Sequence, residues 1–165
     1  MSNVSISAYP GSKNHLADKY TELLPVDGIK TYAEPFSGMF AVGIHCSPTV
    51  YPIRIYNDIN PKLTLLAKVL SNPDTANRLF DMMLEVKFSK ESFNYAKKVS
   101  ANAKNINIDS DINKEAMETA CAVWVTLLLS YNGSMQTFRK LRKGTDEEGY
   151  IKMIKNKLPL IELMD

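Results

Sequence analysis

The sequence predicts an α/β fold that is rich in helix and built around a small parallel sheet, and three observations predict it. Residues 31–36 and 53–57 are short apolar runs, each meeting an acidic residue at its end, Glu34 and Asp58. They read as two buried strands, because parallel strands are covered on both faces and lose the alternation of a half-exposed sheet. Between them, residues 41–46 carry apolar side chains that suit the inner face of a crossover helix. Beyond Pro61 the strand signal stops, and apolar residues recur at helical spacing almost to the end.

The elements follow in order. Leu16, Tyr20, Leu23 and Leu24 make a first helix over residues 13–24, closed by Pro25 and Gly28. After the second strand, Leu63, Leu66, Ala67 and Leu70 form one helical stripe. Asn60 is the natural cap for it. Leu79, Phe80, Met83 and Leu84 form another stripe after the Asn72-Pro73-Asp74 break, where Asn72 or Asp74 can cap. Residues 88–99 make a further helix opened near Ser89, and residues 101–113, rich in Asn, Asp and Ser, read as a loop and linker. Residues 114–129 make a strong helix that packs one continuous face, from Met117 to Leu128, on the core. A Tyr131-Asn132-Gly133 turn follows, and residues 150–164 predict a last helix interrupted by Pro159.

With 165 residues, 45% hydrophobic and 23% charged, the chain has enough apolar material for a buried core. Its formal charge of +2 commits it to no polyanion, but Arg139, Lys140, Arg142 and Lys143 give the last thirty positions a basic bias. A solvated surface explains such a run as well as nucleic acid does. Cys46 and Cys121 form no Cys-x-x-Cys pair, which argues against a zinc site and a disulfide framework. His15 and His45 have no carboxylate or cysteine cluster beside them, so no metal site is predicted. Without a leader-like start or a stretch of bilayer length, the expectation is a soluble, cytoplasmic protein that spans no membrane.

Chemistry concentrates in the first sixty residues. Glu34-Pro35-Phe36-Ser37-Gly38 places an acid, a turn and a glycine just past the first strand, and Asp58 follows the second. Acids beyond the carboxyl ends of neighbouring parallel strands are how a doubly wound sheet holds a nucleoside cofactor. A carboxylate at Asp58 offers two acceptor oxygens to the two ribose hydroxyls, although capping of the next helix is the bland alternative. Upstream lies Tyr9-Pro10-Gly11-Ser12-Lys13, a turn that leads into a helix.

These three elements in this order resemble the D12 class of adenine-N6 DNA methyltransferases, the Dam-like family. The resemblance implies a partial Rossmann-like fold and S-adenosylmethionine as cofactor. It would be held by Tyr9, Gly11, Lys13, Glu34, Pro35, Phe36, Ser37, Gly38 and Asp58. Where the family pattern continues with a second glycine, this chain has Phe40, a bulky residue where backbone should pass near the cofactor. Ser130-Tyr131-Asn132-Gly133-Ser134 with Arg139 resembles the start of the family's target-recognition region. The resemblance therefore implies double-stranded DNA as partner, contacted by Asn132, Arg139, Lys140, Arg142 and Lys143.

The family's Asp-Pro-Pro-Tyr catalytic loop has no counterpart, because the sequence contains no Pro-Pro dipeptide. No catalytic residue is assigned. The expected organisation is a cofactor-binding part over residues 1–70, a helical part over 71–130 and the start of a recognition region over 131–165. The chain then reads as a truncated or split enzyme, inactive alone, with a second chain supplying the loop. A catalytically dead binding or regulatory module and a helical DNA-binding piece are the rivals. A sheet of two strands with an open apolar edge also predicts a homo-oligomer, formed by edge pairing or by exchange of the carboxyl-terminal helices.

Overall fold

The computed structural model describes residues 5–139 and 147–156. Its order is α1 (Ala17–Glu22), β1 (Thr31–Glu34), β2 (Ile53–Tyr56), α2 (Pro61–Leu70), α3 (Pro73–Leu84), α4 (Lys90–Ser100), α5 (Lys114–Leu129) and α6 (Glu147–Lys155). Helices α2 to α5 start where a side chain satisfies one or two of the first free amides. Asn60 accepts from Lys62 N, Asn72 from Asp74 N and Thr75 N, Ser89 from Ser92 N, and Asn113 from Ala116 N. Pro61 and Pro73 occupy first-turn positions, where a missing N–H costs nothing.

Helix α5 is the centre of the helical layer. Every residue from Thr119 to Leu129 is buried, so the predicted single core face is corrected to burial all round. The reason is geometric: α2, α3 and α4 all pack against it, and a helix surrounded by neighbours has no solvent face left. The Trp124 ring stands edge-on to Phe80 at 5.0 Å, and its Nε1 donates to the carbonyl of Ile6 at 3.2 Å. That bond ties the amino-terminal segment to the core.

Residues 101–113 are more than a linker. They open with a 3-10 turn, Ala101–Asn105, and pack Ile106, Ile108 and Ile112 against the core. Lys68 Nζ fixes them further by donating to the carbonyls of Ile108 and Ser110. Among the described residues the last helix is Glu147–Lys155, which starts before the predicted residue 150; residues 157–164 of the prediction, with its Pro159 break, lie outside the described residues.

Strands β1 and β2 pair in parallel, with Thr31 opposite Ile53 and Glu34 opposite Tyr56. The predicted strand ends are corrected inward, because Pro35 has no N–H to continue the ladder. The alternation is inverted relative to a buried pair. Tyr32, Glu34, Arg54 and Tyr56 face the protein, whereas Thr31, Ala33, Ile53 and Ile55 point outward and are exposed. The connection from β1 to β2 covers only the inner face, through Phe40 and Tyr51 against Tyr32. It also contains no crossover α-helix. Gly38 and Phe40 both adopt left-handed backbone, φ 53° and 51°, and the turns they impose leave only a 3-10 turn at Gly43–His45.

The turn after α5 clamps the amino-terminal segment from the other side. Asn132 and Gly133 are left-handed, φ 51° and 67°, and a Cβ on Gly133 would lie 1.7 Å from the carbonyl oxygen of Ala8. Only glycine meets both demands. Gly133→Ala is therefore expected to destabilise the protein by about 1–3 kcal/mol and to loosen residues 6–9. Thermal unfolding with amide exchange at Tyr9 measures both; an unchanged melting temperature would show that the turn does not hold the segment.

Candidate cofactor site at the carboxyl ends of the sheet

Just beyond β1 the chain folds back on itself through its own hydrogen bonds. The Ser37 hydroxyl donates to the carbonyl of Glu34, and Ser37 N donates to Asn57 O at 2.9 Å. Asn57 Nδ2 reaches Pro35 O at 2.7 Å. The post-strand loops of β1 and β2 are thereby sewn together.

Asp58 closes the arrangement. Its Oδ2 accepts from Gly38 N at 2.8 Å and its Oδ1 from Asn60 N at 2.8 Å, so one carboxylate bridges the glycine turn and the start of α2. The cap of α2 belongs to Asn60, which leaves Asp58 free of that duty. Each carboxylate oxygen keeps a second lone-pair direction for a further donor. Tyr56 donates its hydroxyl to Gly38 O at 2.8 Å. Burial, more than the nearby Asp58 charge, raises the Tyr56 pKa and keeps that phenol a donor.

Glu34 sits half-buried behind the turn. Its Oε2 accepts from Gly43 N at 3.1 Å and from the Tyr32 hydroxyl at 3.3 Å. Desolvation raises its pKa above the usual carboxylate range, and these two hydrogen bonds oppose the rise. The Tyr9 ring lies on the turn, 3.4 Å from where a Cβ on Gly38 would stand. Phe36 is 88% exposed at the rim, Pro35 is exposed and Ser37 is buried. Lys13 folds back to donate to Gly11 O at 2.7 Å.

The structure thus brings Tyr9, Phe36, Ser37, Gly38 and Asp58 to one end of the sheet, with Glu34 behind them. Phe40 is 4% exposed, and its ring packs inward against Tyr56 at 5.6 Å.

On the far side of the Tyr9 turn is an open cleft of about 560 Å³, bordered by Gly11, His15 and Asn132. Ser7 Oγ and Asn14 Oδ1 also line it and have no hydrogen-bond partner among the described residues. Sequence reasoning passed over both, since an isolated Ser and an isolated Asn carry no pattern. Asn132 and Arg139 are exposed, and Arg139 N donates to Leu129 O at 2.7 Å. Lys140, Arg142 and Lys143 lie outside the described residues.

Residues 9–157 match the family model of the D12 class N6 adenine-specific DNA methyltransferase. The chain belongs to that family. No curated protein and no solved structure matches it. Membership gives the carboxyl-end arrangement its context, since the family methylates adenine in DNA and normally uses S-adenosylmethionine. Among the described residues, no helix is long and apolar enough to cross a membrane, and no cluster of three His, Cys, Asp or Glu is placed to hold a metal.

Two outcomes follow from this geometry. Asp58→Ala leaves the amides of Gly38 and Asn60 without their acceptor and is expected to cost about 1–3 kcal/mol, read by denaturant unfolding. Glu34→Gln tests the buried carboxyl. A folded pKa above the unfolded one means that the native state holds the proton more tightly, so stability falls as pH rises through the region just above the ordinary carboxylate range. Glutamine keeps an acceptor for Gly43 N and has no charge to desolvate. The substitution should flatten that slope between acid and neutral pH; an unchanged slope would place the titration elsewhere.

Proposed function

We propose that this chain is the S-adenosylmethionine-binding part of a DNA adenine-N6 methyltransferase with a partial Rossmann-like fold. The Asp-Pro-Pro-Tyr loop would be supplied by polypeptide outside these residues. The observation that carries the reading is the 2.8 Å bond from Gly38 N to Asp58, which joins two motifs separated by twenty positions. In this reading Asp58 accepts from the ribose hydroxyls, and Tyr9 and Phe36 border the nucleoside. The glycine turn meets the cationic methionine portion, and Glu34, half-buried behind that turn, acts on it through its charge. Tyr9 and Gly11 border the same cleft as Asn132, and in this reading Asn132 with the basic residues Arg139, Lys140, Arg142 and Lys143 meets double-stranded DNA.

The chemistry follows from what the chain holds. Bound S-adenosylmethionine supplies the methyl group. The residues here bind and orient the donor; the adenine amino group, flipped from the duplex, needs acceptors that the catalytic loop provides. Methyl transfer by this chain alone is therefore not part of the proposal. A catalytically dead cofactor-fold module shares the same site and differs only in lacking a loop-bearing partner.

Calorimetric titration tests the reading. S-adenosylmethionine should bind with a dissociation constant of roughly 10⁻⁴ M, about 5.5 kcal/mol, because only one side of the pocket is present. It should perturb the amides of Tyr9, Gly38 and Asn60. Affinity should strengthen as pH rises and Glu34 ionises towards the cationic ligand. Labelled methyl transfer to mixed-sequence DNA should remain at the level of the no-enzyme control. Absence of any binding at millimolar cofactor would overturn the site, and transfer by the purified chain would overturn the missing-loop argument.

A further inference from the structure

Two lysines on different helices link the candidate cofactor site to the turn after α5. Lys62 lies in the first turn of α2, four positions past Asp58, and its backbone amide donates to Asn60 Oδ1 at 3.1 Å. Lys97 lies on α4, one turn beyond Phe93. The Phe93 ring meets Phe138 at 5.8 Å, and Lys97 Nζ donates to Gln136 O at 2.9 Å. This side of α4 therefore supports the chain that leads to Arg139. Helices α2 and α4 both pack on α5, and the two ammonium charges come near enough to repel.

Lys62 holds its charge against three disfavouring effects. It is half-buried, it stands at the positive end of the α2 dipole, and Lys97 is its neighbour. Burial first, and the Lys97 charge second, lower its pKa. Among the described residues no carboxylate pairs with either lysine, whereas Lys114 has Glu118. Asp58, the nearest acid along the chain, already accepts from two amides. A lysine kept only for solubility has no reason to sit there, and an anion between the two ammonium groups offsets all three effects. We propose that Lys62 and Lys97 together hold a phosphate of the DNA backbone, as a contact additional to the basic segment that begins at Arg139. The inference rests on the proposed function for its partner, double-stranded DNA. Lysine serves phosphate as a point charge, and a phosphate contact fixes register without reading sequence. Since Lys62 follows Asp58 and Lys97 touches Gln136, a strand held here is referenced to the cofactor end and to the turn at once.

Fluorescence anisotropy of a short labelled duplex of mixed sequence, titrated with the whole chain over a series of salt concentrations, tests this. Lys62→Gln and Lys97→Gln should each weaken binding about five- to tenfold at roughly 0.1 M salt and reduce the slope of log affinity against log salt by about 0.9. Lys97→Arg, which keeps the charge and the donor to Gln136 O, should retain the wild-type slope. Lys62→Gln should leave the melting temperature unchanged or raise it, which separates a lost contact from lost structure. Lys114→Gln, at the exposed start of α5, removes the same charge and should leave the slope unchanged. Wild-type slopes in both glutamine variants, with the duplex still bound, overturn the inference alone. A wild-type chain that binds no duplex also overturns it, and titration of the same protein with S-adenosylmethionine then shows whether the cofactor reading stands. Inorganic phosphate that displaces the duplex at matched ionic strength assigns the pair to the free ion and likewise overturns it.

Discussion

The carboxylate of Asp58 is the constraint on which the candidate site depends. It accepts from the amide that opens the glycine turn and from the amide that leads into α2. Neither amide has a helical partner, and a single charged acceptor satisfies both more strongly than a neutral one would. Remove it and the Gly38 turn loses its bond to the start of α2, leaving the two loops joined only through Ser37, Asn57 and Pro35. Tyr56 reinforces the same junction from the strand side by donating to Gly38 O. The site is therefore held by the bonds that terminate the sheet, and its geometry is a property of the fold.

Around that junction the molecule is one-sided. The helical layer gathers on α5, whose second half is buried completely, while the sheet receives cover on one face only. The amino-terminal segment spans the two regions: Ile6 accepts from Trp124 within the helical core, Ala8 lies under Gly133, and Tyr9 reaches Gly38. A short stretch of chain thus joins the helical core, the turn after α5 and the candidate cofactor site. The turn at Asn132 and Gly133 lies against Ala8, and the next residue, Tyr9, lies against Gly38.

Much of this was legible in the residues. Asn60, Asn72 and Ser89 announce helix starts through local chemistry, and local chemistry is what a sequence displays. The pairing of Glu34 and Asp58 at strand ends was also readable, since it depends on order along the chain. What stayed hidden depends on neighbours. Nothing in the run from Lys114 to Leu129 distinguishes a helix with one buried face from one buried all round; that is decided by how many helices surround it. The apolar runs of β1 and β2 suggested burial, yet which face is covered depends on the path of the connection between them. The 3-10 turn at Gly43–His45 replaced the expected helix because of two left-handed residues, and only one of them, Gly38, is a glycine.

Phe40 is the other, and it shows how a bulky residue can hold a left-handed turn. A left-handed non-glycine residue is held at a cost of about 1–3 kcal/mol and persists only when its surroundings demand it. Here the surroundings are visible: the ring fills the space over Gly43, where a Cβ would come within 2.2 Å of it, and meets Tyr56 edge-on. Burying an aromatic ring returns an amount of the same order as the strain. Phe40 thus makes a left-handed turn whose bulk is directed into the core, over a glycine three residues later. The Phe40 ring serves as the packing between the turn and the sheet, and it is the Tyr9 ring that lies over Gly38.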